Sequence, residues 1–315
     1  MNILGVESTA HTFGVGVVDD KGQVLSNVKE SYTSKDKGMI LDEVAAHHKV
    51  IADEILQKSL QEANLTWDDI GFIAYSAGPG LDPVLWTGYH IVKKWAEDNG
   101  KKIVGVNHCC AHLSIGKVWN KIEDPCYLYV SGVNTQIIVD EAGSYHVMGE
   151  TLDIGLGNML DKFGRVIGLG FPAGPEIEKL AKKGKYVELP YVVKGMDVSF
   201  SGILTKVQQL FEKGVSKEDL CFSLQETCFA MLAEVVERAM AHTGKNELLL
   251  VGGVGANKRF CEMLEIMCKE REAKFYKVPM DLAGDQGAMI AWEGYLRQKT
   301  HGDEKVKPHW RADEV

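Results

Sequence analysis

The chain has 315 residues, 45% apolar and 25% charged, with 35 Lys and Arg against 44 Asp and Glu for a net charge of −9. This composition excludes disordered, collagen-like and fibrous classes. The acidic balance excludes a protein that coats nucleic acid or anionic membrane by bulk charge alone. At about 100–200 residues per domain, the length predicts two lobes, each able to bury its own core.

Residues 3–6 predict an apolar strand, the polar turn from Glu7 to Thr12 follows, and Phe13 to Val18 alternates as a second strand. Asp19 to Gly22 supplies turn chemistry before a third strand from Gln23 to Val28. Helical periodicity covers Leu41 to Ala63, Ile70 to Ser76 is strand-like, and Gly78-Pro-Gly80 breaks it. A strand from Lys102 to Val106 runs into a helix begun near Asn107. The opening pattern then returns: Tyr127 to Asp140 reads as strand, small polar turn and strand, and Glu141 to Ser144 turns into Tyr145 to Met148. That echo suggests an internal duplication. The clearest amphipathic helix spans Asp219 to Thr243, with a capping signal at Ser216 to Asp219 and a stop at Gly244. Leu248 to Val251 is a short buried strand, Gly252 to Asn257 a glycine-rich turn, and a helix starts near Arg259. The charged tail from Thr300, with Pro308, is expected on the surface.

Two imidazoles spaced by four in His108-Cys-Cys-Ala-His112 share one helix face if Asn107 caps that helix, the arrangement a metal site needs. Two solvent-facing histidines would leave the same pattern. A zincin protease is excluded, because its Glu general base would stand where Cys109 does. Asp285 is the natural third ligand, although an Asp before an apolar helix also serves as an N-cap. Two histidines and a carboxylate leave coordination positions open, which suits Fe(II) or Zn(II) acting as a Lewis acid. The turn Gly252 to Asn257, between strand and helix, lets backbone amides approach a phosphate. Ser131 and Gly132 in the second hairpin, and Ser8 and Thr9 in the first, could donate to phosphates from two sides. Two such hairpins, an adenosine turn and a duplicated sheet outline the actin, sugar kinase and heat-shock ATPase superfamily.

Other features read as structural. His47 and His48 are expected at a helix surface, and Trp86, Trp95 and Trp292 in packing roles. The basic clusters Lys182 to Lys185 and Lys305 to Arg311 read as solvated faces. Seven cysteines without a Cys-x-x-Cys pair make neither a disulfide framework nor a zinc ribbon. Cys221, Cys228, Cys261 and Cys268 are expected as small buried hydrophobes. With no signal-peptide pattern at Met1 and no apolar run near the ~20 residues of a membrane span, a cytoplasmic or nuclear location is expected.

Several segments together resemble one family: the tRNA threonylcarbamoyl-adenosine transferases, in their archaeal and eukaryotic KEOPS-subunit branch. They are residues 5–12 (GVESTAHT), Gly78-Pro-Gly-Leu81, Gly105 to His112, Leu128 to Gly132, Gly149 to Gly155, Gly157-Asn158 and Asp161. Leu189 to Tyr191, Val193 to Gly202, Ser223 to Thr227, Gly252 to Val254, Asp285, Gly287 to Ala291 and the ending Arg311 to Val315 complete the set.

The resemblance implies an α/β, two-lobed actin-like ATPase fold with duplicated ribonuclease-H-like lobes. Residues 1–122, completed by about 281–315, would form one lobe, and 123–280, with a family-specific helical insert, the other. It further implies one divalent metal, Fe or Zn, on His108, His112 and Asp285 with Tyr129 near it. A threonylcarbamoyl-AMP or ATP would be held by Tyr129, Val130, Ser131, Gly132, Val133, Asp161, Gly174, Glu178 and Asn257. The family reaction moves the threonylcarbamoyl group to adenosine 37 of tRNAs reading codons that begin with A. Expected partners are tRNA and KEOPS-like subunits: a small kinase, a dimerising subunit and a kinase-binding regulator.

The chain departs from the family pattern at four places. Val133 stands where a glycine is usual, Gln286 where Asn is, Ala173 where Gly is and Asp82 where Gly is typical, and the Arg that normally follows Asp82's segment is missing, with Trp86 nearby. The triad is intact while the phosphate lining drifts, so a nucleotide-binding scaffold without catalysis is the alternative to an active transferase.

Overall fold

The computed structural model describes residues 1–33 and 40–315, which divide into two compact units, 1–121 with 284–315, and 122–283.

The first unit opens with three strands, β1 (Asn2–Glu7), β2 (Thr12–Asp19) and β3 (Val24–Ser31), then α1 (Leu41–Ala63), β4 (Ile70–Gly78), α2 (Asp82–Asn99), β5 (Lys102–Asn107) and α3 (His108–Asn120). Its sheet has the order β3-β2-β1-β4-β5, antiparallel from β1 to β3 and parallel from β1 through β4 to β5. Side chains alternate across the strands. Leu4, Val6, Phe13, Val15 and Val17 join Ile51, Ile55, Leu56, Val92 and Trp95 of α1 and α2 in one core. The intervening positions, Gly5, Gly14 and Gly16, face the other side, where a helix described below lies directly on the backbone.

The second unit holds β6 (Cys126–Val130), β7 (Thr135–Glu141), β8 (Ser144–Glu150), α4 (Leu156–Val166), α5 (Gly174–Ala181), a two-residue hairpin β9 (Val193–Lys194) and β10 (Asp197–Val198), α6 (Ser201–Glu212) and α7 (Lys217–Thr243). It ends with β11 (Glu247–Val251), α8 (Lys258–Glu270), β12 (Lys274–Lys277) and the short α9 (Met280–Ala283). Its sheet order, β12-β11-β6-β7-β8, repeats that of the first: a leading strand with two antiparallel meander strands on one side and two parallel strands on the other. The sequence echo is thus a repeat of topology. Ser216 caps α7 by accepting from the Asp219 amide, and Gly244 ends it in the left-handed region at φ 72°, as the local signals predicted. Cys221, Cys228, Cys261 and Cys268 are buried with free thiols, in keeping with their reading as small hydrophobes.

The chain returns to the first unit with α10 (Gly287–Arg297). A Cβ on Gly5 would overlap the Gly287 carbonyl and the Ala291 amide, so glycine is what lets α10 seat its first turn on β1. The tail corrects one expectation. Rather than lying loose on the surface, it crosses the sheet: the Gly105 amide of edge strand β5 donates to Gly302 O at 2.8 Å, and the Lys307 amide to Ala77 O at 2.7 Å. Gly80 donates to Pro308 O at 3.1 Å, and Trp310 and Ala312 are buried. Apolar residues among charges fix a tail that composition alone assigns to solvent.

Two side chains also differ from expectation. His48 is fully buried, its ring 5.3 Å from that of Phe13, because it continues the α1 stripe of Val44, Ile51, Ala52 and Ile55. Burial pushes its pKa down to about 4. Its neighbour His47 is partly exposed and meets Glu30 at 3.1 Å. Trp95 and Trp292 are buried, but Trp86 is exposed. No helix among the described residues is long and apolar enough to cross a membrane.

Candidate active-site residues

In the first unit the chemistry gathers at the carboxyl ends of the parallel strands β1, β4 and β5, where open α/β sheets place their ligands. Asn107 ends β5 and caps α3, its Oδ1 accepting from the Cys109 and Cys110 amides at 2.9 and 3.1 Å. Its Nδ2 donates to the Trp310 and Arg311 carbonyls, both at 3.1 Å. The cap orients the first turn of α3, from which His108 and His112 project one above the other with ring centroids 4.8 Å apart. Neither faces solvent; both are buried, so the alternative of two surface histidines does not hold.

Asp285 joins them. Its Oδ1 lies 3.6 Å from His108 Nε2 and 3.4 Å from His112 Nε2, and one ligand atom from each of the three residues falls within 4.8 Å of the others. The competing role of helix cap belongs to the next residue: Gln286 precedes α10 and its Oε1 accepts from the Met289 amide at 3.0 Å. Asp285 is left to the histidines.

Glu7 is the residue sequence reasoning passed over. It is fully buried; Oε2 lies 2.9 Å from His108 Nδ1, while Oε1 accepts from the Thr9 amide at 2.7 Å and the Thr9 hydroxyl at 2.5 Å. The available signal was a carboxylate closing an otherwise apolar strand. Ser8 and Thr9, read as phosphate donors, are buried, and Thr9 directs both donors to Glu7 while the Ser8 amide bonds Ser76 Oγ at 3.0 Å.

The electrostatics follow from this packing. Burial would lower the pKa of His108, but the Glu7 carboxylate overrides it and Asp285 adds to the effect, holding it at about 9. Burial lowers that of His112 and the charge of His108 reinforces this against the pull of Asp285. For Asp285, burial alone would raise the pKa, yet the bond from His112 and the field of His108 keep it well below the ordinary carboxylate range. A carboxylate fixing one ring nitrogen of a His whose other nitrogen faces a cluster of donors is the usual outer shell of a metal-binding His.

In the second unit the nucleotide candidates likewise lie at the carboxyl ends of parallel strands, β6 and β11. Tyr129 and Val130 end β6 and are buried. The following turn closes through the Ser131 amide to Asn134 O at 2.8 Å and the Asn134 amide to Ser131 Oγ at 3.0 Å. Its carbonyls cap α4: Gly157 donates to Ser131 O and Asn158 to Gly132 O. Asp161 on α4 accepts from the Ala173 amide at 2.7 Å, and Glu178 on α5 accepts from the Lys258 amide at 3.1 Å. Asn257 caps α8 through Oδ1 and donates through Nδ2 to Gln225 Oε1 at 2.6 Å. Beside them Gly252, at φ 93°, lies against the Val130 carbonyl so closely that a Cβ would overlap it. One hydrogen-bonded relay therefore joins the hairpin turn, α4, α5 and the start of α8.

Two of the chain's departures impose no strain on the surrounding fold. Val133 lies outside the left-handed region and its side chain is exposed, so it suffers no backbone strain. Ala173 is buried with its methyl over Gly164, which has no side chain to oppose it. Gly174, first residue of α5, has open space at its Cα.

Solved structures show the same fold at low identity. The Thermococcus kodakarensis HypF structure aligns with a TM-score of 0.64 at 14% identity, covering 96% of this chain and 48% of that one. A ROK hexokinase from Thermus thermophilus aligns at 0.53 and 16%, covering 95% and 99%. These neighbours have the actin-like ATPase fold. Sequence comparison is more specific. A protein 51% identical over 100% of this chain and 98% of its own length is the tRNA N6-adenosine threonylcarbamoyltransferase of Thermococcus kodakarensis. A relative in Methanobrevibacter smithii, 48% identical over 99% of this chain and 59% of its own length, is named a probable bifunctional tRNA threonylcarbamoyladenosine biosynthesis protein. The family model TsaD, tRNA N6-adenosine threonylcarbamoyltransferase, matches residues 23–292, and the chain belongs to that family.

Proposed function

We propose that this chain transfers the threonylcarbamoyl group from threonylcarbamoyl-AMP to the exocyclic amine of adenosine 37 in tRNAs reading codons that begin with A, as the catalytic subunit of a KEOPS-like assembly. The observation that carries the reading is the convergence of His108, His112 and Asp285 within 4.8 Å, with the cap role taken by Gln286. Two imidazoles and a carboxylate form a donor set suited to Fe(II) or Zn(II), and when bound such an ion supplies Lewis acidity toward oxygen.

The chain's own residues supply the rest. Glu7 directs the His108 Nδ1 proton and so leaves Nε2 as the coordinating nitrogen. Burial favours the neutral, ligating form of His112, and Asp285 stays anionic. Tyr129 to Val133, Asp161, Gly174, Glu178 and Asn257 would hold the adenylate, with backbone amides of the turns directed at its phosphate. In the transfer, the amine nitrogen bonds to the carbamoyl carbon, the bond from that carbon to the phosphate oxygen breaks, AMP leaves, and the nitrogen gives up one proton to solvent. Amine attack on an anhydride needs little base catalysis, and none is assigned. The net charge of −9 leaves most of the phosphate-binding surface to partner subunits, the small kinase, the dimerising subunit and the regulator, in the cytoplasm or nucleus.

Reconstitution with those subunits, tRNA, threonine, bicarbonate, ATP and an adenylate-forming enzyme should give modified adenosine, and His112→Ala should abolish it. Full modification by the variant would remove the triad from the reaction. Failure of the wild-type assembly where a sister protein succeeds would leave the chain a scaffold.

A further inference from the structure

Position 86 holds an exposed indole on a helix whose buried stripe runs through Val84, Leu85, Val92 and Trp95. The indole is not loose. It stacks on the His90 ring at 5.8 Å and 28°, and meets Tyr89 edge-on at 5.7 Å. Tyr89 in turn packs on Tyr75 at 5.6 Å and takes a hydrogen bond from Lys93 at 3.2 Å. An aromatic pair held this firmly and left in solvent is prepared for a flat partner.

Its place in the fold says which partner. The α2 N-terminus begins at the edge of the sheet where Glu7, His108 and Asp285 gather: Leu81, its N-cap, donates to Thr9 O at 2.8 Å, and Gly88 lies against Ser8. Five residues of helix separate Leu81 from Trp86, about 7.5 Å. Asp82, exposed one turn before Trp86 on the same stripe, repels a phosphate, so the stripe suits a base rather than the backbone. Exposed Lys305 lies three residues before Pro308, whose carbonyl accepts from Gly80, which puts a cation beside the same helix end.

We infer that Trp86, backed by His90, is a stacking platform for an unpaired nucleobase of the tRNA anticodon loop, next to the adenosine that is modified. The inference rests on the transfer reading above. Drawing an adenosine out of its loop leaves a flanking base without a stacking partner, and a pre-oriented indole replaces that partner. The step is non-covalent, so it sets affinity and positioning and leaves the transfer chemistry unchanged.

The test uses the full chain in its assembly and a fluorescent tRNA anticodon stem-loop, without threonylcarbamoyl donor, so that a failure of transfer and a failure of stacking are read apart. Trp86→Ala should weaken binding about 5- to 150-fold, the range of one base-aromatic stack. Trp86→Phe should keep most of the affinity and His90→Ala should lose part of it. The slope of affinity against salt should stay that of the wild type, because no phosphate contact is lost. On loops carrying an abasic residue on either side of the target adenosine, one of the two should erase the Trp86→Ala effect. Binding by Trp86→Ala within about twofold of wild type overturns the proposal. So does an equal loss on both abasic loops, a changed salt slope, or weakened assembly with protein subunits at unchanged RNA affinity.

Discussion

Replacing Glu7 by Gln removes one charge from a fully buried carboxylate while keeping its shape. In the native arrangement Oε1 is committed to the Thr9 amide and hydroxyl, at 2.7 and 2.5 Å, and Oε2 to His108 Nδ1 at 2.9 Å. A glutamine that keeps its carbonyl on the two Thr9 donors must turn its NH2 toward His108. That NH2 donates, so Nδ1 becomes an acceptor and the imidazole proton moves to Nε2, the nitrogen 3.6 Å from Asp285. A metal that displaces the Nε2 proton leaves the wild-type ring with its Nδ1 proton bonded to Glu7, whereas in the variant that proton must return to Nδ1 against the glutamine NH2. Losses of this outer-shell kind typically cost about 10- to 100-fold in metal affinity, or about 1.4–2.8 kcal/mol. Competitive chelator titration with Zn(II) and with Fe(II), alongside the metal content of the purified chain, reads the effect directly. Thermal unfolding of the metal-free variant checks that the unit still folds. Wild-type affinity for both ions in a folded variant would refute the idea that Glu7 governs the His108 tautomer.

Two further substitutions probe how the fold carries the site. Gly5→Ala should destabilise the chain by about 3 kcal/mol or more, at the upper end of overpacking costs, because its Cβ meets backbone of α10 that cannot rotate away; urea unfolding would show it, and metal binding should weaken in parallel as Asp285 shifts. His48 gives a pH signature: it stays neutral in the folded chain down to about pH 4, whereas the unfolded chain takes up a proton near 6.5. Its contribution is therefore intact above about pH 6.5 and is lost as pH falls toward 4, about 3 kcal/mol over that window. Denaturation midpoints at pH 7 and 4.5 should fall further for the wild type than for His48→Gln; equal falls would count against a buried neutral imidazole.

What the sequence made legible was local. The hairpins, the Ser216 and Gly244 boundaries of α7, and Asn107 as the cap that presents two histidines are each decided within a few residues, and each forms as expected. Contacts over long separations were hidden. Glu7 and His108 stand 101 positions apart, and nothing in a single strand says that its terminal carboxylate meets a ring on a later helix. Asp285 was ambiguous for a different reason: ligand and N-cap favour the same residue type, and only the bond from the Met289 amide to Gln286 separates the roles. His48 was misread because two adjacent histidines lie about 100° apart around a helix, so one can be buried and the other wet. Trp86 was misread because size suggests burial, whereas its position one turn after Asp82 puts it on the wet stripe.

The tail that crosses β5 makes Asn107 serve two masters, its oxygen holding the histidine helix and its nitrogen holding the carbonyls of Trp310 and Arg311. It also occupies the otherwise open edge of the sheet at Gly105. Trimming the last residues as dispensable would therefore do two unrelated kinds of harm. It would loosen the histidine pair through its cap, and it would bare a strand edge that can recruit another chain. A chain shortened past Gly302 should therefore show weaker metal binding together with concentration-dependent self-association.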